Sequence, residues 1–218
     1  MEKFLSIAII GGTGNLGQAL AFRLAGAGSR VIIGSRDDRK AQTVADSLRK
    51  NLTGGSLEGK ANPEAARETD LTIIAVPYPS HAEILRELRE TLRTKTVIDA
   101  VVPLNRGKPF IPEAGSALLE AQQILGLEAP LVGAFHHIPA PELLKPQAPL
   151  GDVLICGDHD AAKEKASEII RRLGGRALDA GPAAHAYILE GLTGLLLYLN
   201  RKYKSNHAGV TITGLEKP

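Results

Sequence analysis

Ile7-Ala8-Ile9-Ile10-Gly11-Gly12-Thr13-Gly14-Asn15-Leu16-Gly17 decides how this chain is read. An apolar strand runs into the spacing Gly12-x-Gly14-x-x-Gly17, the fingerprint of a dinucleotide-binding turn. Gly12 is expected to take the sharp turn after the strand, and Gly14 to let the backbone approach a pyrophosphate. Gly17 is expected to let the next helix pack closely. The phosphates would sit at that helix's N-terminus, where free N–H groups and the helix dipole favour negative charge. The flanks fit, since Gln18 to Ala27 reads as a helix and Arg30 to Gly34 as a second strand.

The end of that second strand bears on which nucleotide is held. An NAD site usually carries Asp or Glu there, bonded to the ribose 2′-hydroxyl. This chain has Ser35-Arg36 instead, with Arg39 and Lys40 one turn on. A carboxylate would repel a 2′-phosphate, whereas Arg36 offers a planar fork to it and Lys40 a point charge. Partial contacts of this kind are worth about 2–4 kcal/mol, a preference for NADP over NAD of roughly 30- to 1,000-fold. Asp37 is placed to cap the following helix rather than to face the phosphate.

Composition suits an enzyme of small molecules. A net charge of +2, with basic residues scattered along the 218 positions, gives no nucleic-acid footprint. The single cysteine, Cys156, forms no internal disulfide and fits a reducing cytoplasm. It lies in Val153-Leu154-Ile155-Cys156, which reads as a buried strand, so an inert thiol is expected. The first residues read as a strand rather than a signal peptide. The most apolar stretch, Ala186 to Asn200, contains Glu190 and is too short to span a membrane.

Strands and helices alternate along the chain. A helix is expected over Asp38 to Leu52 and a strand near Leu57 to Lys60. Asn62-Pro63-Glu64 reads as a helix start with Asn62 as its cap, and Leu71 to Val76 as a strand buried on both faces. Ser80-x-x-Glu83 has the form of a capping box. Further strands are expected at Thr96 to Asp99, Leu131 to Phe135, Val153 to Cys156 and Arg176 to Leu178. Helices run from about Glu113 to Leu125 and from Asp160 to Leu173. The fold class is α/β: a Rossmann-like, doubly wound and mostly parallel sheet with a C-terminal helical extension. Residues 1–180 read as an NADP-binding domain. Residues 181–218 read as a helix from about Ala183 to Tyr203, with a tail that completes an acceptor pocket or a subunit interface.

In such a sheet ligands bind outside the carboxyl ends of the strands. Those positions are Val76-Pro77-Tyr78-Pro79, Ala100-Val101-Val102-Pro103 and His136-His137-Ile138-Pro139-Ala140. Val76, Pro77 and Val101 count among the residues expected to border the cofactor. No Ser-His-Asp spacing, carboxylate pair or metal-binding Cys/His cluster is evident, and neither a catalytic side chain nor a metal is expected. Neighbours on an extended segment point to opposite sides, so His136 and His137 are poor partners for one ion, and at least one is read as lining a pocket. Hydride transfer explains the missing machinery, because cofactors carry the reaction while the protein aligns rings and excludes water.

The fingerprint, Gly34-Ser35-Arg36, and the run Gly133-Ala134-Phe135-His136-His137-Ile138-Pro139-Ala140 together resemble the NADPH-dependent F-420 reductases. So do Cys156-Gly157-Asp158, Leu178-Asp179-Ala180-Gly181-Pro182 and the C-terminal helix with Ile212-Thr213-Gly214-Leu215. The resemblance covers nearly the whole chain. It implies reversible hydride transfer between NADP(H) and the deazaflavin coenzyme F-420. By matched position it gives Thr13, Ser35, Arg36 and Lys40 to the 2′-phosphate, and the backbone around Gly12, Asn15 and Leu16 to the pyrophosphate. Val76 and Pro77 would border the adenosine and pyrophosphate path, and Ala140 would meet the nicotinamide carboxamide. His136 and Ile138 would line the deazaflavin ring. His137 departs from the smaller polar residue common in the family, which bears on the shape of that pocket.

Other readings stay open on the residues alone. They are an NADPH-dependent reductase of a small imine or carbonyl compound, similar to pyrroline-carboxylate reductases, a reductase of a flavin or metal chelate, and a non-catalytic NADP(H) sensor. Leu189, Leu192, Leu195, Leu196 and Leu199 recur at helical spacing and suit a core or a homo-oligomer interface, with Gly191 and Gly194 allowing close approach. Arg201, Lys202, Lys204 and His207 form a basic cluster at the helix end that is either solvated or attracts the coenzyme's anionic tail.

Overall fold

In chain order the elements are β1 (Ser6–Ile10), α1 (Asn15–Gly26), β2 (Arg30–Ser35), α2 (Asp38–Arg49), β3 (Ser56–Ala61), α3 (Asn62–Arg67) and β4 (Leu71–Ile74). Then come α4 (His81–Leu92), β5 (Thr96–Asp99), a two-stranded hairpin of β6 (Leu104–Asn105) and β7 (Lys108–Pro109), α5 (Ala117–Leu125) and β8 (Leu131–Gly133). The chain finishes with the four-residue α6 (Ala140–Leu143), β9 (Asp152–Ile155), α7 (Asp160–Arg172), β10 (Arg176–Asp179) and α8 (Ala186–Lys202). These come from a computed structural model that describes residues 5–145 and 148–215.

Six strands form one parallel sheet in the order β3-β2-β1-β4-β5-β8. Side chains alternate across a strand, so one apolar run feeds two cores. Ile7 and Ile9 pack with Leu20, Leu24, Ile33 and Ile169 on one face, while Ala8 and Ile10 pack with Ile32, Ile84, Leu88 and Leu118 on the other. The winding reverses at β1, with β2 on one side and β4 on the other. That switch point is where doubly wound sheets take their ligands. β9 and β10 pair with each other in parallel. They join the main sheet through one antiparallel bridge, in which Gly133 and Cys156 exchange N–H···O bonds of 2.8 and 3.1 Å. Beside that bridge, His137 Nε2 lies 3.2 Å from the Asp152 carbonyl and 3.3 Å from the Leu154 N–H. The imidazole stands where a strand partner would otherwise be.

Several expected boundaries move, each for a local reason. The left-handed turn after β1 belongs to Gly11, with φ of +80°, and not to Gly12. Gly12 is instead pressed between strands, since a Cβ there would lie 2.8 Å from the Ile9 carbonyl and 2.9 Å from Ile33. Asn62 does not cap α3, because the extended residue at its entry is Ala61 and Asn62 is already helical. The Ser80–Glu83 capping box does not form. A 3₁₀ turn over Tyr78–Ser80 leads into α4, leaving Ser80 near φ −97°, ψ −4° rather than extended. α5 begins at Ala117 and not near Glu113, capped by Ser116, whose hydroxyl accepts from the Leu119 N–H at 3.0 Å. β8 stops at Gly133, short of Phe135, which turns the chain at φ 67°. The cap expected at Asp37 is present, its carboxylate accepting from the Lys40 N–H at 3.0 Å. Among the described residues no helix is long and apolar enough to cross a membrane.

Candidate cofactor and acceptor sites

At the switch point the turns after β1, β2 and β4 line a cleft of about 350 Å³. Thr13, Gly14, Ser35, Arg36, Lys40, Val76 and Pro77 all line it. Gln18 orients the turn by donating to the Thr13 carbonyl at 2.8 Å. Among the described residues no side chain caps the start of α1, and its first turn holds no acidic residue. The leading N–H groups of Asn15, Leu16 and Gly17 are thus left for an anion. Gly17 sits against the turn itself, since a Cβ there would lie 2.6 Å from the Gly11 carbonyl. A Cβ on Gly14 would meet only that carbonyl, at 3.4 Å, so the wall is open where a pyrophosphate would approach. Arg36 and Lys40 are exposed at the rim and form no ion pair among the described residues, while the Asp37 carboxylate is engaged with its own helix. Two free cations beside a buried hydroxyl and an open backbone cradle fit a phosphorylated dinucleotide.

Val101 is not in this cleft. It is buried in the core under α4 and α5, with its N–H bonded to Asp99 Oδ1 at 2.9 Å. Gly11, Asn62, Ser80 and Ile84 line the cleft although the spacing of the fingerprint does not point to them. The Gly11-Gly12 doublet was the available signal for the first, since a left-handed turn favours glycine.

His136, Ile138 and Ala140 lie in a second pocket, of about 220 Å³. The positive φ of Phe135 swings the segment out of β8, and the Ile138 N–H closes the turn on the Phe135 carbonyl at 3.3 Å. From α8, Thr193 donates to the His136 carbonyl at 2.6 Å, and Leu196, Leu197 and Asn200 supply the facing wall. Asn206 and Ala208 of the tail close one side. The tail is fastened at two places. Ala208 N–H donates to Asn200 at 3.1 Å, and Asp152 accepts from the Ile212 N–H while holding both ends of the Arg176 fork at 2.6 Å. Burial pushes the His136 imidazole down to about 4, so at neutral pH it is uncharged, and neither ring nitrogen has a hydrogen-bond partner among the described residues. The pocket is therefore largely apolar and lined without a charged residue among those described, its polar groups being the His136 and His137 rings, Thr193, Asn200 and Asn206. Gly194 takes the close approach expected of the α8 glycines, against Pro109, while Gly191 meets nothing within 4 Å.

A doubly wound sheet with an uncapped helix and a glycine cradle at its switch point defines a dinucleotide-binding protein of the Rossmann class. The family model described as NADP oxidoreductase, coenzyme F420-dependent, matches residues 6–103. The F420-dependent NADP reductase of Methanothermobacter thermautotrophicus is 37% identical over 97% of this chain and 96% of its own. The reductase of the same name from Methanocaldococcus jannaschii is 36% identical over 97% of this chain and all of its own. Among solved structures, a putative F420-dependent NADP-reductase from Arthrobacter sp. superposes with a TM-score of 0.82 over 96% of this chain, at 23% identity, a likeness of fold. The chain belongs to the F420-dependent NADP reductase family.

Proposed function

We propose that the protein transfers a hydride reversibly between NADP(H) and the deazaflavin coenzyme F-420. The observation that carries this reading is the pairing of a cation-rimmed nucleotide cleft with a second, largely apolar pocket built by the turn after β8, α8 and the tail. When bound, the nicotinamide donates or accepts the hydride and the deazaflavin takes the opposite part. The chain's own residues bind, orient and keep water out. Thr13, Ser35, Arg36 and Lys40 hold the 2′-phosphate, and the N–H groups around Gly12, Asn15 and Leu16 hold the pyrophosphate. Val76 and Pro77 border the adenosine side. The Ala140 backbone meets the nicotinamide carboxamide, while His136 and Ile138 line the acceptor ring. In this division residues 1–180 carry the nucleotide and residues 181–218 finish the acceptor pocket.

The reading brings with it a cytoplasmic location and a homo-oligomer. α8 supports the latter, because Tyr187, Ile188, Leu195 and Tyr198 stand about half exposed along it. The direct test mixes the protein with NADPH and oxidised F-420 and follows the deazaflavin absorbance. Bleaching is expected. No bleaching under conditions where NADPH binds would overturn the acceptor. Replacing Arg36 with alanine removes a charge-assisted contact and is expected to raise the KM for NADPH about 10- to 100-fold, with little change for F-420.

A further inference from the structure

Beneath the wall formed by the turn after β4 lies a group of buried charges that none of the nucleotide contacts above requires. His81, the first residue of α4, is fully buried. Its Nε2 lies 2.8 Å from Asp99 Oδ2 at the end of β5, and its Nδ1 lies 2.7 Å from Glu120 Oε2 on α5. Asp99 is itself fully buried. A neutral imidazole carries one N–H, so it would turn a lone pair towards one of the two carboxylates, whereas the imidazolium donates to both. Burial draws the ring's pKa down, but Asp99 and Glu120 outweigh it and hold His81 at about 9. Among the described residues the cluster is also faced by Tyr78, whose hydroxyl donates to Glu120 Oε1 at 3.1 Å, by Glu190 of α8, and by the His136 imidazole beside Asp99, which burial keeps uncharged at neutral pH and above. Glu190 accepts from the Ala117 and Leu118 N–H groups at the start of α5.

The position of this cluster bears on ligand binding. His81 follows directly on the Tyr78–Ser80 turn, and Val76, Pro77, Ser80 and Ile84 line the nucleotide cleft on either side of it. Tyr78 stacks on the His81 ring with centroids 6.0 Å apart. Apolar packing would bury this turn without fixing its direction, whereas a fully bonded buried ion specifies one arrangement of the groups around it.

We propose that the His81 imidazolium is a positioning residue for nucleotide binding: tied to Asp99 and Glu120, it fixes the start of α4 and so the Val76–Ser80 wall of the cleft. The inference rests on reading that cleft as the NADP(H) site. NADPH affinity then follows the charge on His81, although the ring touches no part of the ligand.

The test is a titration of NADPH binding by nucleotide fluorescence between about pH 7.5 and about pH 9.5, where the 2′-phosphate no longer changes charge. It uses the wild-type protein and the variants His81→Gln and Glu190→Gln, with circular dichroism checking the fold at each pH. The wild-type dissociation constant is expected to rise about 5- to 10-fold over that range. Glu190→Gln should keep the rise, which separates His81 from its titrating neighbour. His81→Gln should bind about 5- to 10-fold more weakly at the lower pH and show a flat profile, with kcat at saturating NADPH unchanged. A flat wild-type profile overturns the inference. So does a His81→Gln protein that melts earlier yet keeps wild-type affinity and pH dependence. If His81→Gln does not fold, the wild-type and Glu190→Gln titrations decide alone. Failure of the wild type to bind NADPH at all overturns the reading of the cleft, and the inference with it.

Discussion

Two glycines of α1 offer a matched experiment on the nucleotide cradle. A Cβ added at Gly17 would lie 2.6 Å from the Gly11 carbonyl oxygen and 2.7 Å from Gly12 Cα. Ordinary contact starts near 3.4 Å, so the helix must retreat by about 0.8 Å, and both obstacles are backbone. Overpacking of this kind costs about 1–3 kcal/mol, while alanine's preference for the helix returns up to about 1 kcal/mol. Gly17→Ala should therefore lose about 1–2 kcal/mol, a fall of roughly 2–8 °C in Tm for a chain of this size. Gly26 closes the same helix with nothing within 4 Å of its added Cβ. Gly26→Ala should gain about 0.5 kcal/mol, or roughly 1–2 °C. Scanning calorimetry with and without NADPH reads both. At a hundredfold excess over its dissociation constant a ligand stabilises by about 2.7 kcal/mol. Gly26→Ala should keep that increment, and Gly17→Ala should lose most of it because its cradle has moved. A Gly17→Ala protein that melts with the wild type and keeps the NADPH increment would refute the assignment of this glycine to close packing.

Three further outcomes follow from buried groups. Arg23 donates to the carbonyls of Glu142, Lys145, Ala148 and Leu173, so Arg23→Met strands several acceptors and should cost roughly 3 kcal/mol or more, measured by urea unfolding. Cys156 is fully buried and burial pushes its thiol up to about 12, so a thiol reagent should label it only at the rate of global unfolding; rapid labelling of native protein would contradict this. Burial raises Glu190 to about 8, against 4.5 for a free carboxyl. The folded state thus holds a proton that the unfolded chain releases, and this group's contribution to stability falls as pH rises between those values. The stability of Glu190→Gln relative to wild type should therefore climb from about pH 5 to about pH 8, and a constant difference would count against a buried, titrating Glu190.

What the sequence revealed was mostly local, and what it concealed mostly depended on distant partners. The parallel sheet is written in short apolar runs, and Thr96–Asp99 comes out as expected to the residue. The Asp37 cap is equally legible because its acceptor and donor are three residues apart. Ser80 and Glu83 show the limit of such reasoning: the spacing is right, but the preceding prolines wind a 3₁₀ turn that takes Ser80 out of reach. The cluster at His81 left no local sign, since its carboxylates lie 18 and 39 residues away and meet only when β5 and α5 pack. The β6–β7 hairpin also escaped notice, being two residues per strand with no alternating pattern. For the site, the fingerprint and Ser35-Arg36 named one cleft, whereas the helix and tail were expected to complete an acceptor pocket without any spacing that singled out Thr193, Asn200 or Asn206.

Among the described residues, those lining the nucleotide cleft come from positions 11 to 84 and those lining the second pocket from positions 136 to 208. Among them no residue belongs to both linings. On the proposed assignment, a substitution at Ser35, Arg36 or Lys40 alters the lining that meets the 2′-phosphate and leaves the lining around His136 and Ile138 as it was.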